Sequence, residues 1–241
     1  MSFLKLQCAQ CGCSKIQEQS QLGKELVTFF TCGHYSSVVT IDKESDIDLS
    51  PSTDGRTLFK FQEAGVRFAI ASNVRCLIAD EMRLGKTVQA LKTIKSRPTD
   101  LTPFGIFCKS SLKLQWMKEV IRWCGFEYLP QILSESKDKM HPGFSGYIFS
   151  LDLLRRFNGE LKDQFIELGV KLIIIDETQL IKNHQSARAK AVRELCQGQQ
   201  HIMGLSGTPI KNRASEYFSI LNILKPEMFP VYEHFIWREC R

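Results

Sequence analysis

The stretch "RCLIADEMRLGKTVQALKTI", residues 75–94, joins two kinds of element through one loop. Its beginning, "RCLIAD", is a short apolar run without polar alternation, which is typical of a strand buried on both faces. Its end, from Lys86 onward, places apolar residues at helical spacing. Between them Gly85, Lys86 and Thr87 form the tripeptide that closes a phosphate-binding loop. Strand, loop and helix in this order predict a phosphate site at the end of a sheet strand.

Each residue of this loop has a chemical role. Backbone amides at the start of the helix, after Gly85, would point at phosphate oxygens. Lys86 would neutralise the β and γ oxygens of a nucleotide, and Thr87 would offer a hydroxyl ligand to Mg²⁺. Arg83 stands where such loops need a small residue. Its side chain either meets phosphate in the cleft or points to solvent, and we favour the second arrangement.

Apolar runs and helix-period segments alternate along the rest of the chain from residue 58. Strands are predicted at 75–80, 104–108, 128–133, 146–150, 170–176 and 201–206. Helices are predicted at 60–72, 86–96, 111–123, 151–167, 186–197 and 214–224. The strands lack polar alternation, so the pattern predicts an α/β fold: a parallel sheet covered by helices in three layers. Ligands bind at the carboxyl ends of such strands.

Two further motifs follow predicted strands. Asp176 and Glu177 end the run "LIIIDE", where Asp176 would hold Mg²⁺ and Glu177 would orient or deprotonate an attacking water. Alone, such a pair is often a capped turn, but together with the phosphate loop it indicates a nucleoside triphosphatase. Ser206 and Thr208, in "LSGTP", expose two hydroxyls on a tight turn. That turn would sense the γ-phosphate or lie along a nucleic-acid backbone.

Cysteines crowd at the start of the chain. Cys8 and Cys11 are separated by two residues, Cys32 and His34 by one, and "KELVTFFT" between the pairs predicts a strand. Four N and S ligands closed by a loop of ~20 residues match a structural Zn²⁺ site in a small β-rich module. Cys13 is surplus and would replace Cys11 or His34. The alternative is a set of free thiols.

Composition describes an ordinary globular chain of 241 residues with a net charge of +6, which is compatible with a polyanionic partner. The acidic and then Ser-, Pro- and Gly-rich stretch "DKESDIDLSPSTDGR" predicts a linker. We therefore expect a zinc-ribbon-like module at 1–48, a linker at 49–57 and the main domain at 58–241. No signal peptide or membrane span is recognisable, so an intracellular protein without a membrane partner is expected.

Six motifs occur in a fixed order along residues 58–241: "FQEAGV", "ADEMRLGKT", "IFCKSSLKLQW", "YIFSLDLL", "IIIDETQLIKN" and "LSGTPIKN". In this set the chain resembles superfamily-two helicases, and within them the Swi/Snf-type translocases of double-stranded DNA. The resemblance is to the first of their two RecA-like lobes. It does not extend to the cysteine-rich segment.

The resemblance implies further roles. Gln62 would read the adenine edge of ATP, since a side-chain amide carries both a donor and an acceptor. Ser206 and Thr208 would couple the nucleotide state to the grip on DNA. The residues that would touch the phosphate backbone of duplex DNA are Lys109, Ser110, Ser150, Lys182 and Asn183. Such contacts do not read sequence and weaken with salt.

The chain departs from the family pattern at several positions. Arg83 replaces a glycine, Thr178 and Gln179 replace the usual Ala or Ser and His, and Lys109 replaces a proline. The Thr178 and Gln179 positions tend to transmit the state of ATP, so the changes there affect coupling more than hydrolysis.

The final residues, "VYEHFIWRECR", resemble the end of the first lobe, so we expect this chain to lack the second lobe. That lobe would supply arginine fingers, which are worth ~10³–10⁵ in turnover. We therefore expect this chain to bind ATP weakly and to hydrolyse it negligibly unless a second lobe, in cis or in trans, completes it. The alternative is a non-catalytic module, derived from such a motor, that binds nucleic acid or protein; an RNA helicase is disfavoured by the motif forms.

Overall fold

The structure is a computed structural model of the chain. It describes the backbone of residues 16–22, 25–30 and 35–39, and the backbone and side chains of residues 47–135, 137–154, 160–208 and 213–240. The chain divides into two compact units, Met1–Ser45 and Asp46–Arg241. Each unit is described by itself.

The first unit contains three strands in an antiparallel meander: β1 (Ile16–Leu22), β2 (Glu25–Phe30) and β3 (Tyr35–Val39). Strand β2 confirms the strand expected between the two pairs of candidate metal ligands. The candidate zinc ligands all lie outside the described residues, and they are Cys8, Cys11, Cys13, Cys32 and His34. The zinc site therefore stays a prediction.

The second unit is built on a six-stranded sheet in which every pairing is parallel. Its strands are β4 (Arg75–Ile78), β5 (Phe104–Cys108), β6 (Pro130–Ile132), β7 (Gly146–Ser150), β8 (Leu172–Asp176) and β9 (His201–Leu205). Their spatial order is β4-β9-β8-β5-β7-β6. All six predicted strands are confirmed, because uninterrupted apolar runs are what a sheet covered on both faces requires.

Eight α-helices are seen in the described part of this unit. They are α1 (Lys60–Ala71), α2 (Lys86–Ser96), α3 (Pro98–Leu101), α4 (Lys113–Cys124), α5 (Glu160–Glu167), α6 (Ala187–Cys196), α7 (Phe218–Leu224) and α8 (Tyr232–Glu239). Helices α3 and α8 were not predicted. The helix expected at 151–167 is partly wrong, because residues 151–153 form a turn in which the Leu151 amide bonds the Cys108 carbonyl.

Two hydrophobic cores lie on the two faces of the sheet. Ile174 of β8 packs into the core that includes residues of α1, α2 and α4. Its neighbours Ile173 and Ile175 pack into the core that includes residues of α5, α6 and α7. Successive side chains of a strand point to opposite faces, so this alternation confirms the three-layer α/β architecture.

Residues 47–57, which include the predicted linker, form no regular element but pack against the helices. The Lys92 ammonium of α2, whose side chain is fully buried, lies 3.1 Å from the Asp48 carboxylate. The Thr53 amide donates to the Arg122 carbonyl of α4 at 2.8 Å. Burial raises the pKa of Asp48, but hydrogen bonds from Ser50 and the charge and hydrogen bond of Lys92 outweigh it and lower the pKa to about 2. The segment is therefore anchored to the lobe by specific polar contacts.

Candidate functional site

Three of the predicted motifs meet at one edge of the sheet. Strand β4 leads into the phosphate loop, β8 ends at Asp176, and β9 leads into Ser206. These strands are neighbours in the order β4-β9-β8 and run parallel, so their carboxyl ends share one edge. The motifs that are far apart in sequence are thus brought together by topology.

The phosphate loop, residues 79–85, uses left-handed backbone at two positions. Gly85 precedes α2 with φ 79° and ψ 37°, and a Cβ added to it would lie 2.4 Å from Nε2 of Gln62. Arg83 also has a positive φ, 68°, although its side chain disfavours that region. The Arg83 side chain is exposed. Left-handed backbone favours glycine, so the arginine adopts this conformation at a cost in free energy.

Lys86 points back into its own loop. Its ammonium donates to the backbone carbonyls of Asp80 at 2.7 Å and Glu81 at 2.8 Å. The carboxylate of Asp80 in turn accepts from Nε2 of Gln89 at 2.6 Å. Gln89 is fully buried, and its Oε1 would lie 1.7 Å from a Cβ at Gly65 of α1. Gly65 therefore allows α1 to approach the helix that begins at the loop.

Gln62 joins the start of α1 to the phosphate loop. Its Oε1 accepts from the Phe59 amide at 3.0 Å, and its Nε2 donates to the Leu84 carbonyl at 3.1 Å. Only 7% of the residue is exposed. Both ends of the amide are thus engaged within the protein, and adenine recognition by Gln62, which stays a prediction, requires exchange of these bonds.

Asp176 has a partner that the sequence analysis did not identify. Its Oδ2 accepts from the indole nitrogen of Trp116, on α4, at 3.0 Å. Burial raises the pKa of Asp176 and the Glu177 carboxylate adds to that, while the Trp116 bond and the Lys86 ammonium oppose it. The only sequence signal for this contact is the tryptophan in the motif "KSSLKLQW".

A chain of hydrogen bonds connects the acidic motif to the turn after β9. Glu177, at φ 56°, accepts from the side-chain amide of Gln179. The carbonyl end of the same amide accepts from the Ser206 hydroxyl at 2.7 Å. The Thr208 amide donates to the Ser206 oxygen at 3.2 Å. Gln179, which replaces the usual histidine, thus bridges the two motifs directly.

The turn after β9 also packs against the phosphate loop. A Cβ added to Gly207 would lie 2.6 Å from Cγ of Met82 and 3.3 Å from its backbone nitrogen, so the absence of a side chain at Gly207 lets Met82 pack closely against the turn. Among the described residues the buried Thr208 hydroxyl has no hydrogen-bond partner.

The predicted DNA contacts are not equally accessible. Lys109 and Ser110 follow β5 and are exposed. Ser150, at the end of β7, is only 7% exposed, and its hydroxyl accepts from the Leu153 amide at 3.3 Å. The side chains of Lys109 and Ser110 can therefore reach a polyanion without rearrangement, whereas the Ser150 hydroxyl already accepts a hydrogen bond within a turn.

The other two predicted contacts line a polar cleft of about 660 Å³. Asn183 is exposed, and its Oδ1 accepts from the Gln185 amide at 3.0 Å. Lys182 is partly buried and forms an ion pair with Glu216 at 2.8 Å. The cleft lining comprises Lys182, Asn183, His184, Gln185, Arg213, Ser215, Glu216 and Tyr232. A DNA phosphate that binds the Lys182 ammonium would therefore have to compete with the Glu216 carboxylate.

Residues 61–239 match the sequence family of the SNF2-related domain. The chain belongs to this family. It is 33% identical over 204 residues to the SWI/SNF-related matrix-associated actin-dependent regulator of chromatin subfamily A-like protein 1 of Bos taurus, covering 82% of this chain and 20% of that protein. It is 29% identical over 208 residues to the DNA annealing helicase and endonuclease ZRANB3 of Mus musculus, covering 85% of this chain and 19% of that protein. The SNF2 lobe described here thus spans about a fifth of the length of these relatives.

The Sulfolobus solfataricus SWI2/SNF2 ATPase core in complex with dsDNA superposes on the SNF2 lobe with a TM-score of 0.67 and 26% identity. The match covers 79% of this chain and 40% of that one. The core domain of the same ATPase gives a TM-score of 0.64 and 28% identity, with 76% of this chain and 38% of that one covered. The RecA-like α/β fold of the first lobe is thereby confirmed. Within the described residues, no helix is both long enough and apolar enough to span a bilayer.

Proposed function

We propose that this chain is the ATP-binding lobe of a motor that acts on duplex DNA. The observation that carries the proposal is the convergence of the phosphate loop, Asp176 and Ser206 on adjacent parallel strands. Parallel α/β sheets bind ligands beyond the carboxyl ends of their strands. Membership of the SNF2-related family supports the same conclusion.

In this proposal the phosphate loop binds the phosphates, and the acidic pair binds Mg²⁺ and positions the attacking water. Gly85 lets the start of α2 face the phosphates, and Lys86 exchanges two neutral carbonyl acceptors for charged phosphate oxygens. Thr87 and Asp176 supply the oxygen ligands that suit Mg²⁺, which when bound neutralises charge on the phosphates. Glu177 orients or deprotonates the attacking water.

Gln62 is the residue we assign to the adenine edge, because it lies beside the phosphate loop and carries a donor and an acceptor. The state of the nucleotide then passes from Glu177 through Gln179 to Ser206 and Thr208, along the hydrogen bonds of the site. An amide in place of a histidine makes this connection independent of protonation near neutral pH.

Duplex DNA is the proposed partner, held through its phosphates and without sequence preference. The residues assigned to this contact are Lys109, Ser110, Ser150, Lys182 and Asn183. A related SWI2/SNF2 ATPase core has been solved with dsDNA. Phosphate contacts make the logarithm of affinity fall with the logarithm of salt by about 0.9 per contact.

Three further features complete the proposal. A second RecA-like lobe, in cis or in trans, supplies the arginine that turnover requires, worth ~10³–10⁵ in rate. The N-terminal unit holds a structural Zn²⁺ through Cys8, Cys11, Cys32 and His34, which metal analysis of the wild type and of Cys8→Ser would test. The protein acts inside the cell, where its DNA is.

The proposal is tested by three measurements on the 241-residue chain: binding of a fluorescent ATP analogue, binding of labelled duplexes at several salt concentrations, and phosphate release with and without DNA. We expect weak ATP binding, salt-dependent DNA binding that duplex RNA competes for poorly, and negligible turnover. Absence of nucleotide binding would instead support a non-catalytic binding module. Robust DNA-stimulated turnover by this chain would overturn the need for a second lobe.

A further inference from the structure

Trp116 combines a buried ring with one polar contact. The residue lies on α4 and is 2% exposed, within the core that also contains Leu91 and Ile94 of α2. Its indole nitrogen donates to Oδ2 of Asp176, 60 residues away in sequence, at 3.0 Å. The ring is therefore held by apolar packing, and its polar edge reaches the end of β8.

The helices that hold the ring also frame the candidate nucleotide site. Helix α2 starts at Lys86 and Thr87, and α4 packs against α2 through the shared core. A rotation of the Trp116 ring would disturb that core, so the indole N–H has one well-determined direction. The carboxylate of Asp176, at the end of a strand, is thus oriented by a donor that is itself fixed.

We propose that Trp116 is a positioning residue of the Mg²⁺–nucleotide site, which acts by orienting the Asp176 carboxylate through its indole N–H. The inference rests on the proposed function, in which Asp176 is a ligand of Mg²⁺. Trp116 itself touches neither the metal nor the nucleotide. Partners that orient a metal ligand in this way typically change metal affinity about 10–100-fold when they are removed.

Trp123 offers a matched control on the same helix. It is 5% exposed, belongs to the same core, and donates its indole N–H to Oε2 of Glu119 at 3.1 Å. A change of Trp123 to phenylalanine therefore removes the same kind of ring atom and the same kind of hydrogen bond. The difference is that Glu119 belongs to α4 and not to a sheet strand at the candidate site.

The test compares the affinity for fluorescent ADP with Mg²⁺ and with EDTA in the wild type, Trp116→Phe and Trp123→Phe. Phenylalanine keeps most of the apolar packing and removes the donor. Mg²⁺ should raise the ADP affinity of Trp116→Phe by a factor about 10-fold or more smaller than it does for the wild type. The affinity measured with EDTA should be the same in both proteins. Trp123→Phe should keep the full gain. A full Mg²⁺ gain in a folded Trp116→Phe protein would show that the tryptophan only packs, and would overturn the inference.

A second measurement does not depend on the folding of Trp116→Phe. The chain has three tryptophans, so the indole signal of Trp116 in a nitrogen-15 spectrum can be assigned by elimination with Trp123→Phe and Trp237→Phe. We expect Mg²⁺ to shift this signal in the ADP-bound protein, and an unmoved signal would overturn the inference. A wild type that binds no nucleotide at all would overturn the proposed function as well, whereas the other contrary results overturn only the role of Trp116.

Discussion

Arg83 places an ordinary side chain in a conformation that favours glycine. Its φ of 68° lies in the left-handed region, which costs about 1–2 kcal/mol for a residue with a Cβ. The side chain is exposed, so no burial compensates this cost. We therefore expect this cost to lower the stability of the folded protein.

Two substitutions separate the backbone of Arg83 from its charge. Arg83→Ala removes the guanidinium but keeps the Cβ, whereas Arg83→Gly removes both. We expect Arg83→Gly to be more stable than Arg83→Ala by about 1 kcal/mol, because only glycine relieves the positive φ. Urea unfolding of the two variants measures this difference. Equal stabilities would show that the loop is not strained at this residue.

Lys182 and Glu216 join two loops of the candidate DNA surface, the segment after β8 and the 3-10 turn at 214–217. The Lys182 ammonium, which we assign to a DNA phosphate, forms an ion pair with the Glu216 carboxylate at 2.8 Å. We expect Glu216→Gln to strengthen binding to duplex DNA and to steepen its salt dependence by about 0.9 in the logarithmic slope, as for one added phosphate contact.

Glu160→Gln, on the exposed start of α5, changes the net charge of the protein by the same amount. Fluorescence anisotropy of labelled DNA in a salt series, measured for both variants, separates the local effect from the global one. If both variants gain equally, the ion pair does not restrain the Lys182 side chain.

Helix α2 is anchored to residues 47–57 through a buried charge. Asparagine at position 48 keeps an oxygen that can accept from Lys92, but it removes the negative charge that compensates the buried Lys92 ammonium. We expect Asp48→Asn to lower the free energy of unfolding at neutral pH by about 2 kcal/mol, less than for a fully buried pair because Asp48 is partly exposed.

The stability that the Asp48–Lys92 contact contributes should decrease as the pH falls. The pKa of Asp48 is lowered to about 2 in the folded protein, so its stabilising effect is present above the unfolded pKa of about 4 and is lost as pH falls through about 2. The difference between wild type and Asp48→Asn in urea unfolding should therefore shrink across this range. A difference that does not change with pH would contradict the role of the carboxylate charge.

At the scale of the whole lobe, apolar runs and the parallel-sheet rule predict most of the architecture. Residues such as Ile173, Ile174 and Ile175 show no polar alternation, which identifies a strand covered on both faces. Because parallel strands end at one edge, the phosphate loop and Asp176 could be expected to meet before the strand order was known.

Contacts between distant segments could not be predicted in the same way. Trp116 and Asp176 are 60 residues apart, and the pair depends on how α4 packs on the sheet. Lys92 has a charged side chain in an amphipathic helix, for which solvent exposure is the ordinary expectation. Its burial depends on residues 47–57 folding back onto α2, and the composition of that segment indicates only a linker.

The central claim is that this edge of the sheet is a nucleotide site built around Lys86. It is tested most directly by titrating a fluorescent ADP with Mg²⁺ into the wild type, Lys86→Ala and Lys118→Ala, the last an exposed lysine of α4. We predict saturable binding by the wild type and by Lys118→Ala, and an affinity about 10-fold or more lower for a folded Lys86→Ala, since a charged hydrogen bond to phosphate is lost. Binding that is absent in the wild type, or equal in Lys86→Ala, would contradict the claim.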